Sequence, residues 1–515
     1  MKSCSSKRVK ELRRKRNSPS IPQIFLLLIL ALFLTSCASP PPEDSLAVTL
    51  FHTNDHHGRS LAYLAEDRHI GGLAERITLI KSLREKAAAK GDFCILLDAG
   101  DISSGTMFSD SFSAEPDWKV YGKYYDAVTP GNHDFDFPLD GMVRFIEQFE
   151  VPVISANIID RRTGSLLFPP YKIFRHAGWS IVVIGISHPE TPILSTLGND
   201  QRLEFRSATE AAASYVDQLR EQHDMVILLS HLGKDDRLAR EVKGIDLIIG
   251  GHSHSPFPKP LKRQGVLIVN AGYGGQYVGQ MSLLLKRKGR GVEIELTHYE
   301  LIPVTADIPP DNDVVSILQP YLDAFGDQGG TVVGHAGESF SRESLADSLS
   351  SSNLSHLVAD SYRSATGADF AFVNEGGLRA DLEKGPLTVD DLHAVLPFNN
   401  TLIVFELRGS QVMEVIRNMV SGLIGKNGIL FPSNLRITNI QSGIPEVQTG
   451  NGDSLVLDKI YSVAVGSFIA RGGDGHQSFP KFEKKRDTMI RTSNALRKYI
   501  EAKKTVFPDN IPRLK

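Results

Sequence analysis

Between Leu46 and about Pro303 the chain alternates short apolar runs with amphipathic stretches and polar loops. The runs Ala47–Phe51, Phe93–Leu97, Val151–Ile154, Ser180–Ile186, Met225–Leu229, Asp246–Ile249 and Val266–Val269 have strand length and are rich in β-branched residues. A strand with one wet face alternates apolar and polar positions. Unbroken runs of this kind therefore predict strands covered on both faces. Ile70–Lys90 instead places Leu73, Ile77, Ile80 and Leu83 at three- and four-residue spacing, the period of an amphipathic helix. Strands alternating with helices predict an α/β layer architecture, whose site lies at the carboxyl ends of the strands. Met281–Leu301, broken by the basic turn Lys286–Arg290, predicts an antiparallel hairpin that closes the first domain.

Pro309-Pro310-Asp311-Asn312-Asp313 then opens a helix over Val314–Phe325, ended by Gly326 and Gly329-Gly330. We read this as an interdomain linker. Beyond it a second α/β domain carries its own polar loops: Asn374-Glu-Gly-Gly-Leu-Arg379, Leu396-Pro-Phe-Asn-Asn400 and Phe468-Ile-Ala-Arg-Gly-Gly-Asp-Gly475. The expected division is a leader over 1–36, a tether over 37–46, a first domain over 47–305, a linker helix over 306–330 and a second domain over 331–515. A chain of 515 residues, 41% hydrophobic and 23% charged, has room for two such cores. The net charge of −3 gives no electrostatic case for nucleic-acid binding.

The N-terminus reads as targeting rather than fold. A basic stretch from Lys7 to Arg16 precedes the apolar run Ile24–Leu34, which is too short to span a bilayer. Leu34-Thr35-Ser36-Cys37 follows and resembles a bacterial lipobox, which implies lipidation of Cys37 and anchoring to a membrane. With Cys4 removed and Cys37 lipidated, Cys94 is left without a disulfide partner.

Chemistry gathers in the loops after the apolar runs: Asp55-His-His57, Asp98-Ala-Gly-Asp101, Gly131-Asn-His-Asp134, Ser230-His231 and Gly251-His-Ser-His254. Asp55, His57 and His254 suit one divalent ion, Asn132, His231 and His252 a second, and Asp101 has two oxygens with which to bridge them. Imidazole, carboxylate and amide donors without thiolate favour Zn, Mn, Fe or Co. A dinuclear site clamps both oxygens of an in-line displacement and acidifies a bridging water. His133 would stand beside the ions without binding one, with Asp134 expected to set its tautomer or its pKa. His56 and His69 are assigned to the scaffold, and Asp98 to orienting its loop.

This series resembles the calcineurin-like metallophosphoesterase superfamily, whose D-x-H, G-D, G-N-H-[DE], H and G-H-x-H clusters recur in the same order. The second half resembles the C-terminal domain of the 5′-nucleotidase and UDP-sugar hydrolase family, so that the likeness covers about residues 47 to 510. It implies a four-layer α/β/β/α first domain and an α/β substrate-binding second domain. It further implies that His133 stabilises or protonates the reacting phosphate, Arg379 holds it, Asn374 and Gly377 belong to the loop that meets the nucleoside, Phe398 and Phe468 sandwich the base, and Asp474 binds the ribose hydroxyls. Aromatic faces for a base, a carboxylate for a diol and a guanidinium for phosphate agree with that set. Two positions depart from the family. Glu375 replaces a loop glycine, and Ser348–Ser352 lacks a second substrate arginine, for which Arg342 or Arg471 are the nearby substitutes.

The expected activity is hydrolysis of nucleoside 5′-monophosphates by attack of a metal-bridging hydroxide, in an exported, lipid-anchored protein. The alternatives are a 2′,3′-cyclic nucleotide phosphodiesterase with 3′-nucleotidase activity, a UDP-sugar hydrolase, a sulfur-oxidation relative of the fold, and a surface nucleotide-binding lipoprotein without catalysis.

Overall fold

Successive residues of one strand enter different cores, and this sets the layering of the first domain. The computed structural model describes residues 44–515 except 66–67, 196–201, 290, 327–328, 346–349, 399 and 421–427. The leader, most of the tether and Cys37 lie outside the described residues. In chain order the principal strands are β1 (Ser45–Thr53), β2 (Phe93–Asp98), β3 (Ala127–Val128), β4 (Tyr171–His176), β5 (Trp179–Ile186) and β6 (Met225–Ser230). They continue with β7 (Leu247–Gly250), β8 (Leu261–Arg263), β9 (Val266–Val269), β10 (Tyr277–Lys288) and β11 (Gly291–Pro303). One sheet has the order β11-β10-β1-β2-β3 and the other β8-β9-β7-β6-β5-β4. Their central strands are parallel: β1 with β2, and β5 with β6, β7 and β9.

Val48, Leu50, Ile95 and Leu97 of the first sheet meet Ile181, Val183, Ile227 and Leu229 of the second in a core between the sheets. Phe51 and Leu96, one position out of phase, join a core with helices Leu73–Ala88, Glu115–Tyr124 and Leu139–Gln148. Val182, Ile184, Val226 and Leu228 join a third with helices Ala208–Leu219 and Asp235–Glu241. The central strands of both sheets are buried on both faces, so their runs do not alternate. The result is the expected α/β/β/α stack.

One expected strand is missing. Val151–Ile154 forms no strand; it makes a single parallel bridge, Val128 to Val153. Pro152 has no N–H to give a ladder and contributes only its carbonyl, which accepts from Val128 N. The helix of the interdomain segment, Asn312–Phe325, is capped by Asp311 and buries Val314, Leu318 and Phe325 in the core under the first sheet.

The second domain has a separate core. Its main sheet runs β14-β12-β15-β13-β16, with β12 Phe370–Asn374, β13 Thr401–Arg408, β14 Leu430–Ser433, β15 Ile460–Gly466 and β16 Lys485–Arg491. Phe370, Phe372, Phe405 and Val463 pack against Leu354, Val358, Val412, Ile416, Leu496 and Ile500 of three helices. No helix among the described residues is long and apolar enough to cross a membrane.

Candidate metal centre and substrate site

The loops at the carboxyl ends of β1 and β2 are tied to each other before any side chain is considered. Asp55 N donates to Gly100 O at 2.8 Å, and His57 N to Asp101 O at 2.9 Å. Asp55, His57, Asp101, His252 and His254 all take positive φ, between 51° and 67°. That left-handed conformation costs a non-glycine residue roughly 1–2 kcal/mol. Five such residues converging on one point mark strain kept for a purpose. Two neighbours must be glycine because of space: a Cβ on Gly131 would lie 2.2 Å from Asp101 Oδ1, and one on Gly251 would lie 2.7 Å from both Ala99 O and His231 Nδ1.

The side chains form two groups that share Asp101: Asp55, His57, Asp101 and His254, and Asp101, His231 and His252. His57 Nε2 lies 3.0 Å from His254 Nε2, and His254 Nε2 lies 3.2 Å from Asp55 Oδ1. Asp101 Oδ2 is 3.1 Å from His231 Nε2 and 3.7 Å from His57 Nε2. Asn132 Oδ1 completes the second group, 2.9 Å from His252 Nδ1. Ligand atoms about 2.1 Å from a tetrahedral ion stand roughly 3.4 Å apart, close to these spacings.

The hydrogen bonds behind the ligands also fit a cation. His57 Nδ1 donates to Ser104 O at 2.9 Å, and His231 Nδ1 to Ala99 O at 2.6 Å. Each bond puts the proton on Nδ1 and leaves Nε2 as a lone pair facing the cluster, the usual arrangement behind a ligating histidine. Burial by itself would lower the pKa of His231, yet the charge of Asp101 raises it to about 10, so that a proton is drawn onto Nε2 at the place where a cation could sit instead. Two buried carboxylates, Asp55 and Asp101, thus demand positive charge at this point.

His133 stands beside the cluster. Its backbone N donates to Asp101 Oδ1 at 2.8 Å, and its ring meets His57 edge-on at 5.4 Å. Its carboxylate partner is Asp136 and not Asp134, because Asp136 Oδ2 accepts from His133 Nδ1 at 2.8 Å. Burial lowers the His133 pKa, but Asp136 and Asp101 outweigh it and the net shift is upward. Asp134 points the other way and accepts from the backbone N–H groups of Asp101, Gly131 and Ser103 at 2.9–3.0 Å. It braces the ligand loops. Three residues after His133 is one short helical turn, and that spacing in His133-Asp-Phe-Asp136 was the available signal.

Asp98 accepts from Gly100 N, and His56 is held between Asp117 and Arg76.

The second domain brings its loops to this centre. Arg379 Nη2 lies 3.1 Å from His254 Nδ1 and 3.2 Å from Nε2, and its guanidinium sits 5.3 Å over the Phe398 ring. Phe398 stacks on His133 at 4.9 Å, so one face of the ring is covered by the first domain in this conformation. Asn374 Nδ2 donates to Asp474 Oδ2 at 2.9 Å. A Cβ on Gly377 would lie 2.8 Å from Asn374 Oδ1, and one on Gly473 would strike the Phe468 ring at 2.5 Å. Asn374, Gly377, Phe468 and Asp474 therefore form one group, while Arg379 and Phe398 reach the metal centre. Burial raises the Asp474 pKa to about 6 against the opposing effects of Asn374 and Arg379. Arg342 is held by Asp381, with Nε 3.0 Å from Oδ1. It lines a cavity of about 400 Å³ together with Arg59, Tyr273 and Arg379.

Comparison with known proteins agrees with both halves. Residues 48–256 match the calcineurin-like phosphoesterase family, which uses divalent metal ions, and residues 332–484 match the 5′-nucleotidase C-terminal domain. A 5′-nucleotidase of Vibrio cholerae is 30% identical over 528 residues, covering 91% of this chain and 94% of the relative. Protein UshA of Yersinia enterocolitica is 29% identical, covering 89% of this chain and 92% of its own. The crystal structure of a 5′-nucleotidase precursor from Thermus thermophilus superposes with a TM-score of 0.80 at 29% identity, covering 91% of this chain and 99% of that one. The chain belongs to the 5′-nucleotidase family and is a metallophosphoesterase of 5′-nucleotidase type.

Proposed function

We propose that the protein hydrolyses nucleoside 5′-monophosphates to nucleoside and phosphate, using two divalent ions of the Zn, Mn, Fe or Co type. The observation that carries this reading is the pair of ligand groups sharing Asp101, with Arg379 and His133 beside them and Asn374 and Asp474 behind. Asp55, His57 and His254 would hold one ion, and Asn132, His231 and His252 the other. Ions bound there supply Lewis-acid charge to phosphoryl oxygens and lower the pKa of water. Arg379 offers a planar fork of donors to the phosphate. His133, its Nδ1 held by Asp136, directs Nε2 as donor to a phosphoryl or leaving oxygen. Asp474 accepts from the ribose hydroxyls, and Phe398 and Phe468 offer ring faces to the base.

Hydrolysis of AMP, UMP, 2′,3′-cyclic AMP, UDP-glucose and bis(p-nitrophenyl) phosphate, with Mn, Zn, Co or Mg added, tests the reading, followed as phosphate from the monoesters, as p-nitrophenol from the aryl diester and by chromatography of the nucleotide products from the other two. Turnover of AMP or UMP that His133→Ala abolishes supports it. Turnover confined to the cyclic and diester substrates contradicts the 5′-monophosphate assignment. The leader pattern supports export with a lipid anchor at Cys37; Cys37→Ser is then expected to move the protein from the membrane to the soluble fraction.

A further inference from the structure

The strands whose carboxyl ends approach the metal centre each deliver a polar residue to it: Asp55 and His57 after β1, Asp101 after β2, His133 after β3, His231 after β6 and His252 after β7. β5 lies beside β6 in the same sheet, and Ser187-His188 follows it. The His188 ring packs on His252, with centroids 4.7 Å apart and planes at 39°. Glu190 N donates to His188 Nδ1 at 3.1 Å. A backbone N–H is always a donor, so Nδ1 is the acceptor and the hydrogen of the neutral ring is on Nε2. A nitrogen carrying hydrogen offers no lone pair to a metal. His188 is therefore not an additional ligand, although it touches one. Among the described residues no group accepts from its Nε2.

We infer that His188 is a substrate-contacting residue whose Nε2–H donates to a non-bridging phosphoryl oxygen on the His252 side of the centre. Arg379 contacts His254, in the first ligand group, and His188 contacts His252, in the second. A phosphoryl group seated across Asp101 is then held from both flanks, by a charged donor on one and a neutral donor on the other. The inference rests on the phosphoesterase reading of the centre and adds a substrate-contacting residue to it. Its sequence signal is the same as that of the ligands, a polar residue directly after a buried apolar run.

Two substitutions separate donation from packing. His188→Phe keeps a flat ring against His252 and removes the N–H; His188→Gln restores a donor near the Nε2 position. Steady-state hydrolysis of p-nitrophenyl phosphate by the Mn-loaded protein is the readout, with metal content and thermal midpoint measured alongside. The expected result is a fall in kcat/KM of about tenfold or more in His188→Phe, as for loss of a hydrogen bond to a charged acceptor. Recovery to within about threefold of wild type is expected in His188→Gln, with metal content and midpoint unchanged in both. Wild-type kcat/KM in His188→Phe overturns the inference. Equal losses in both variants, accompanied by loss of metal, overturn it too and leave His188 as packing for His252. Because the substrate is an aryl ester, a wild-type protein that ignores nucleotides would count against the nucleotide reading alone, and the three-protein comparison still decides His188.

Discussion

Phe398, from the second domain, lies nearly flat on His133, from the first, with ring centroids 4.9 Å apart and planes at 14°. The same ring carries the Arg379 guanidinium 5.3 Å above it, and Arg379 in turn touches His254. One loop pair of the second domain thus supplies both an aromatic face and a cation to the metal centre.

If Phe398 serves the nucleoside as well as His133, its loss must show in substrates that have a base. Base–aromatic stacking contributes about 1–3 kcal/mol. For Phe398→Ala we expect KM for AMP to rise about tenfold, while kcat/KM for p-nitrophenyl phosphate changes less than about threefold. Equal losses on the two substrates would contradict a base-binding role.

Asp134 and Asp136 stand two residues apart and are predicted to fail differently. Asp136 holds His133 Nδ1. Asp136→Asn should lower kcat on the order of a hundredfold, the range of general acid–base catalysis, with little change in thermal midpoint. Asp134 accepts from three backbone N–H groups. Asp134→Ala leaves these donors without their acceptor at about 1–3 kcal/mol each, so its midpoint should fall on the order of 10 °C. Calorimetry beside steady-state kinetics on both variants checks the pair, and the reverse pattern would exchange the two roles.

Stability should decline on mild acidification through His52. This residue lies on β1, stacked on Tyr299, and among the described residues neither ring nitrogen has a hydrogen-bond partner. Burial lowers its pKa from 6.5 to about 3. Above pH 6.5 the folded and unfolded states are both neutral here. Below it only the unfolded chain takes up the proton, so stability is lost as pH falls from 6.5 toward 3, at up to about 1.4 kcal/mol per pH unit. Between pH 6.5 and 5.5, His52→Leu should lose about 1 kcal/mol less than wild type in urea unfolding. Identical losses would show that His52 is not the group responsible.

The first domain was legible because burial on both faces writes unbroken apolar runs, and the loops after them hold residues that a strand interior rarely tolerates. Met225–Leu229 became β6, and His231 followed it into the centre. Val151–Ile154 looked the same in composition, but a missing N–H at Pro152 limited it to one bridge. Asp136 and His188 escaped notice because their roles depend on which atom meets which. Asp134 is nearer to His133 in the chain, yet its carboxylate points toward the backbone of Asp101 and Ser103. The packing of Asn312–Phe325 into the first core was hidden for a related reason, since an amphipathic helix does not name the surface it will cover.

Titration of Mn into metal-free protein, following phosphate release from AMP for wild type and Asp101→Asn, tests the shared-carboxylate centre most directly. Wild-type turnover is expected to need the second equivalent of metal, and Asp101→Asn to stay inactive at every ratio. Full turnover at one equivalent, or an active Asp101→Asn protein, would contradict it.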